Sequence, residues 1–230
     1  MKHTKNLKGI IVPLVTPLVD GDTLDNEGLD KLIEHVIQGG VSGIFILGTT
    51  GEAPCLSYRL RKELIERTCK QVGKRLPILV GITDTSFVES VNLAKYAFDK
   101  GVEYSVIAPP YYYKSDAPEM TEYFNHLLPQ LPMPTYLYNM PSCTKVIIDI
   151  STIQAVADNE KVAGLKDSSA DMIYFNRLIR LFKDRNDFNL FVGPEEMLAQ
   201  SVYMGGDGGV NGGANLFPKL YNRLYSAAVA

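Results

Sequence analysis

Lys166 stands in the run VAGLKDSS, residues 162–169, where a short apolar stretch delivers a lysine to what reads as the C-terminal end of a β-strand. Burial disfavours the ammonium form and can lower a lysine pKa by up to about 3 to 5 units, which supplies the neutral amine that attacks a carbonyl. Schiff-base chemistry is the reading this placement favours. A lysine that snorkels to solvent, or pairs with the adjacent Asp167, is the alternative. Four further segments carry groups of complementary chemistry. GTTGE, residues 48–52, sets the hydroxyls of Thr49 and Thr50 and several backbone N–H groups in one turn. Such a turn can hold a small anion, or it can be an ordinary capped turn. YNMPSCT, residues 138–144, opens with Tyr138 at the end of the apolar run TYLY; a phenol there can donate or take up a proton within a closed pocket. APPYYYK, residues 108–114, offers three more tyrosines that read equally well as packing or interface residues. Glu195 and Glu196 in VGPEEM either complement the dipole of a helix start or grip substrate hydroxyls.

The elements that must position these groups alternate along the whole chain. Strand-like apolar runs cover 9–15, 43–47, 77–82, 104–108, 134–138, 162–166, 188–192 and the glycine-rich 205–212. Helix-like segments cover 26–38, 57–72, 86–99, 118–131, 150–159, 171–183, 194–203 and 216 onward. Ser57, Ser86 with Glu89 three residues on, and Pro118 are helix-start signals. The strand runs are continuously apolar instead of alternating, which predicts a parallel sheet covered on both faces. Eight strand and helix units in 230 residues predict one (β/α)8 TIM barrel, a single α/β domain over residues 1–230. The rival is a doubly wound open sheet, but no GxGxxG follows a strand. The sequence stops in SAAVA inside a helix pattern, which predicts a C-terminally truncated barrel. In this fold active sites lie at the C-terminal ends of the strands and in the loops that follow, and all five segments fall there.

Composition narrows the partners. A formal net charge of -3 without a lysine or arginine run argues against a nucleic-acid groove or an anionic membrane surface. Nothing approaches 18 consecutive apolar residues, and the start MKHTKNLK is polar with no signal-peptide core behind it, so a cytoplasmic protein is expected. Cys55, Cys69 and Cys143 are odd in number, far apart and lack a CxxC pair, as expected of reduced thiols. His3, His35 and His126 have no second ligand at metal-binding spacing, so no metal site is expected.

Taken in order, GTTGE at 48–52, PPYYY at 109–113, YNMP at 138–141, GLKDSS at 164–169 and GGDGGVNGGAN at 205–215 carry a resemblance. The chain resembles the dihydrodipicolinate synthase and N-acetylneuraminate lyase family of pyruvate-dependent class I aldolases, from its first strand to its last residue. The resemblance implies that Lys166 forms an imine with pyruvate or a 2-oxo acid and that Tyr138 is the general acid and base. It implies that Thr50 passes the proton to Tyr112, which in relatives usually comes from a neighbouring subunit. Thr49, Thr50 and Gly51 would hold the pyruvyl carboxylate, with Gly193, Val210 and Ser168 lining the same pocket. No cofactor is implied beyond the covalent imine. The partners implied are a small 2-oxo acid and an aldehyde, and further copies of the chain in a dimer or tetramer. Relatives carry another helical segment after the eighth barrel helix, and this sequence ends before it.

Departures from the pattern bear on substrate. Dihydrodipicolinate synthases normally place an arginine where Cys143 stands, and a thiol cannot replace a bidentate guanidinium. Glu195 and Glu196 resemble the acidic pair with which N-acetylneuraminate lyases hold a sugar tail, but Gly212 stands where those lyases use a serine. The pattern leans toward members that cleave 2-keto-3-deoxy sugar acids or similar hydroxylated 2-oxo acids. The alternatives are 4-hydroxy-tetrahydrodipicolinate synthase, N-acetylneuraminate lyase, a non-catalytic barrel that binds a 2-oxo acid, and, lacking a nearby basic residue, a phosphate-binding barrel enzyme.

Overall fold

The computed structural model describes residues 7–230; the first six residues, including His3 and most of the polar start, lie outside the described residues. Eight apolar runs become the parallel strands β1 Gly9–Pro13, β2 Gly43–Ile46, β3 Ile78–Gly81, β4 Tyr104–Ile107, β5 Thr135–Asn139, β6 Val162–Asp167, β7 Asn189–Val192 and β8 Gly208–Val210. Every residue in them is buried. Each pairs with its sequence neighbour, and β8 closes onto β1, giving the TIM barrel the alternation predicts. The helices α1 Asn26–Gln38, α2 Tyr58–Val72, α3 Phe87–Asp99, α4 Ala117–Leu127, α5 Ile150–Val156, α6 Met172–Phe182, α7 Leu198–Tyr203 and α8 Pro218–Val229 follow the strands in turn. No described helix is long and apolar enough to cross a membrane.

The strands are apolar on both faces because they serve two cores. Ile11, Phe45, Tyr136 and Phe191 belong to a cluster that fills the barrel, while Ile10, Ile44, Leu137 and Leu165 join a larger cluster between strands and helices. Truncating a wholly enclosed side chain such as Phe191 to alanine costs on the order of 3–5 kcal/mol.

Capping accounts for the helix starts. The Ser57 and Ser86 hydroxyls accept the N–H groups of Leu60 and Glu89 at 3.2 and 3.4 Å. Asp116 and Glu119 form a capping box ahead of Pro118, so α4 begins one residue before that proline. It ends at Leu127, earlier than its pattern suggests; Pro129 has no N–H to continue the ladder, and Leu128–Gln130 tightens into a 3-10 turn. Glu195–Met197 is likewise a 3-10 turn ahead of α7. Among the elements with no counterpart in the sequence pattern are a small hairpin of Leu18–Asp20 with Thr23–Leu24, and the one-turn helix Pro141–Thr144.

One irregularity sets the geometry of the barrel mouth. Thr135 pairs with Val162, but Tyr136 pairs with Gly164, so Ala163 is an extra residue on β6. A one-residue slip exchanges the two faces of a strand. Beyond the bulge Tyr138 is paired with Lys166 and Asn139 with Asp167. In an unbulged register Leu165 would lie beside Tyr138, and Lys166 would turn outward among the helices. Gly164 permits the bulge, because a Cβ there would stand 2.2 Å from the Asn189 carbonyl oxygen.

Candidate active site

Lys166 is only 6% exposed, and its Nζ lies 4.0 Å from the Tyr138 ring centroid and 5.3 Å from that of Phe45. Both rings belong to the cluster inside the barrel, so the amine points into the mouth over two aromatic faces. The lysine neither snorkels to solvent nor pairs with its neighbour. Asp167, on the opposite face of the strand, accepts from Asn139 Nδ2 at 2.8 Å, Ser169 N at 3.1 Å and Ser169 Oγ at 3.0 Å. Burial, the largest influence, pushes the Asp167 carboxyl up, and these hydrogen bonds only partly oppose it.

Tyr138 is the hinge of the constellation. Its Oη lies 3.3 Å from Thr49 Oγ1. Burial by itself would push this phenol up, but the positive charge of Lys166 and hydrogen bonds with Thr49, Lys166 and Ser168 outweigh it and leave the phenol below its ordinary value.

The turn that carries Thr49 is bent over the mouth by a strained start. Leu47 adopts φ of 56°, in the left-handed region, and its carbonyl oxygen presses against β3 where a side chain on Gly81 would place Cβ at 1.9 Å. Glu52 N then donates to the Thr49 carbonyl at 3.0 Å and Ala53 N to that of Gly48 at 3.3 Å. The N–H groups of Thr50 and Gly51 find no backbone acceptor among the described residues, as an anion-holding turn requires. Gly51 is fixed by its carbonyl, which accepts from Thr16 Oγ1 at 2.7 Å.

The two threonines separate. Thr49 is the one within reach of Tyr138, whereas Thr50 lies across from Gly212, whose Cβ position is 3.9 Å from Thr50 Oγ1. The threonine expected beside the Tyr138 hydroxyl is Thr50; the one that stands there is Thr49. Ser168 sits against Gly193, where a Cβ would come within 2.0 Å of its Oγ, and Val210 faces the barrel interior. Tyr112 is 69% exposed and packs edge-on against Tyr113, while Tyr111 lines the cavity.

Glu195 and Glu196 differ in their surroundings. Glu195 accepts from Gly213 N and from the Tyr221 hydroxyl on α8, tying the loop after β7 to the loop after β8. With both oxygens engaged, it is held in the scaffold; Glu196 is exposed. Burial, with Glu195 beside it, pushes the Tyr221 phenol up to about 12, so it stays a donor to that carboxylate.

Beside Tyr138 opens a cavity of about 160 Å3, walled in part by Leu47, Thr49, Thr83, Tyr111, Met140 and Cys143. Its lining among the described residues contains no charged side chain. Thr83, Met140 and Phe45 were not singled out in the sequence. Inward parity on β2 is the signal for Phe45, while the other two depend on how the loops fold over the mouth.

A family model described as the dihydrodipicolinate synthetase family matches residues 6–230. The chain belongs to that family. A DapA-like lyase of Pyrococcus horikoshii is 34% identical over 96% of this chain and 76% of its own length. Among solved structures, dihydrodipicolinate synthase from Bacteroides thetaiotaomicron superposes with a TM-score of 0.94 at 58% identity, covering 96% of this chain and 74% of that one. The 2-keto 3-deoxygluconate aldolase of Picrophilus torridus superposes with a TM-score of 0.89 at 32% identity, covering 95% of this chain and 78% of that one. The solved structures that this chain resembles are thus named for different reactions.

Proposed function

We propose that this member of a family of lyases is a cofactor-free class I aldolase that makes or breaks a C–C bond between pyruvate and an aldehyde through an imine on Lys166. The observation that carries the reading is the buried Lys166 amine 4.0 Å from the ring of a phenol that is itself within reach of Thr49. The amine adds to the C2 ketone of pyruvate, and the carbinolamine loses water to leave a protonated imine. Loss of a C3 proton gives the enamine, whose carbon attacks the aldehyde; water then releases the product and the free lysine. Cleavage of a 2-oxo acid runs the same steps backward. Tyr138, lowered toward the working range, takes up and returns protons at the carbinolamine and aldehyde oxygens. Thr49 orients its phenol, and the free N–H groups of Thr50 and Gly51 suit the pyruvyl carboxylate. Tyr112 would complete the relay from a second copy of the chain, a reading that its exposure supports.

For the aldehyde, the uncharged cavity wall at Cys143 favours a hydroxylated 2-oxo acid of the 2-keto-3-deoxy sugar acid type, since a second carboxylate would meet no counter-charge there. Thr49, Thr83 and Tyr111 supply hydroxyls to such a tail. The 58% identity to the Bacteroides dihydrodipicolinate synthase favours a second reading, condensation of pyruvate with aspartate semialdehyde.

Incubation with pyruvate and borohydride, followed by intact mass and peptide mapping, tests the shared half-reaction. A pyruvyl increment on the peptide containing Lys166, absent from Lys166→Ala, is expected. A folded protein that gains no mass would overturn the imine mechanism. Turnover of 2-keto-3-deoxygluconate against aspartate semialdehyde then separates the two readings.

A further inference from the structure

Immediately outside the barrel wall, behind the Tyr138 and Lys166 pair, a second pair of residues is buried with no access to substrate. Asn139 and Asp167 are each 0% exposed, occupy the next register position on β5 and β6, and are joined by the 2.8 Å bond from Asn139 Nδ2 to Asp167 Oδ1. We infer that this bond is a positioning device that holds the phenol of Tyr138 and the amine of Lys166 in register, so that Asn139 and Asp167 govern the rate of imine formation without touching the reactants. The inference rests on the Schiff-base reading above.

Three observations carry it. First, the bond crosses between the two strands at the point where their ladder ends, one residue beyond the reacting pair. Asn139 O also accepts Ser168 N at 2.8 Å, and Asp167 O accepts Gly193 N at 2.7 Å, so β5, β6 and β7 are tied together there. Second, the Asn139 amide has a fixed orientation. Its Oδ1 accepts Ile148 N at 3.0 Å, and the Ile148 carbonyl accepts the Tyr174 hydroxyl of α6 at 2.7 Å, so the pin is anchored to the outer helix layer. Third, the register it guards is irregular. The extra residue Ala163 lies only three positions before Lys166, and a strand that slips by one residue there would turn the amine out of the barrel.

The Asp167 carboxyl is buried among neutral donors, with no cation in salt-bridge range among the described residues and with the charge of Asp171 nearby. Bare charge is an expensive way to satisfy such a site. Its use here is geometric: Oδ1 receives two donors, Asn139 Nδ2 and Ser169 N, and Oδ2 receives the Ser169 hydroxyl. An amide oxygen could take the place of Oδ1, and the serine hydroxyl could rotate to accept from the amide nitrogen. A displacement of about 1 Å between reacting groups can cost on the order of 100-fold in rate, which sets the scale of the expected effect.

The test measures the rate of pyruvate imine formation by borohydride quench at a series of pyruvate concentrations, well below each variant's melting temperature. Asn139→Ser, which removes the cross-strand donor, should lower the maximal rate 10-fold to 100-fold while changing the half-saturating pyruvate concentration less than threefold. Asp167→Asn, which keeps the acceptor and removes the charge, should retain a rate within threefold of the wild type. A folded Asn139→Ser that forms the imine at the wild-type rate overturns the inference, even if it melts earlier, because a merely structural pair would behave in that way. Should Asn139→Ser fail to fold, Asp167→Asn decides alone: a tenfold loss would overturn a pin made of hydrogen bonds. Failure of the wild type itself to trap pyruvate would instead sink the imine reading on which the inference stands.

Discussion

Lys166 Nζ lies 4.0 Å from the ring centroid of Tyr138, and the two residues occupy paired positions on adjacent strands. Side chains so paired in a parallel sheet leave the same face together, so their proximity is a property of the strand ladder and not of a loop conformation. Neighbouring strands are about 4.8 Å apart, which brings an amine and an aromatic face into contact without strain in either backbone.

The arrangement assigns different roles to the two adjacent threonines. Removing the Tyr138 phenol with Tyr138→Phe should slow imine formation by roughly 100-fold to 10,000-fold, the range of general acid and base catalysis. Thr49→Val, which removes the hydroxyl that meets Tyr138, should cost roughly 10-fold in the maximal rate. Thr50→Val should leave the maximal rate nearer the wild type, because its hydroxyl lies toward Gly212 and its backbone N–H is kept. Borohydride-quench kinetics on the three variants checks this; equal maximal-rate losses at both threonines would remove the distinction.

The Tyr138 phenol should titrate below the ordinary tyrosine value of about 10. Burial opposes ionisation and Lys166 is the largest influence supporting it, so Lys166→Met should leave only the Thr49 and Ser168 hydrogen bonds against burial and move the phenol up. Tyrosinate absorbance followed against pH, with Tyr138→Phe to assign the signal, reads the shift directly. The sign also predicts a pH profile: with Tyr138 acting as the acid, the wild-type rate should begin to fall at a pH below 10. An unchanged titration in Lys166→Met would mean that the amine does not set the phenol's state.

Gly164 should tolerate no side chain. A Cβ would collide with the Asn189 backbone at 2.2 Å, and a rigid strand offers no flexible end to move aside. Gly164→Ala is expected to destabilise the barrel by about 1–3 kcal/mol, the range for overpacking a close-packed interior. It should also lower imine formation out of proportion to the lost stability, since relief of the clash shifts β6 and with it Lys166. Urea melts alongside trapping kinetics measure both; a wild-type rate would show that the bulge survives the added methyl.

Much of this architecture was legible before any coordinates. The eight apolar runs stood out because each strand is buried twice, once against the barrel filling and once against the helices, so polar alternation is absent. That same uniformity concealed the bulge. Ala163, Gly164 and Leu165 are all apolar or small, and nothing in VAGLK reveals which of Leu165 and Lys166 points inward. Thr49 and Thr50 posed a similar problem, since chemically identical neighbours are distinguished only by the left-handed turn at Leu47 and the space that Gly81 leaves for it. The anchoring of Glu195 is hidden for another reason. Its partner Tyr221 is 26 residues away on α8, and no local pattern announces that contact. The hairpin at Leu18–Asp20 was within reach, as Gly21 and Asp22 form an evident turn between Val19 and Leu24.

The one-turn helix Pro141–Thr144 lies just beyond the strand that bears Tyr138, and it contributes Cys143 and Thr144 to the cavity wall. The amine and phenol are thereby housed in the frame of the barrel, while part of the cavity wall beside them is housed in a short helix of its own. Reactivity and selectivity become separable properties of the chain. On the aldolase reading proposed above, a change in residues 140–144 would retune which aldehyde is accepted while the lysine, the phenol and the bulge that aims them stay as they are.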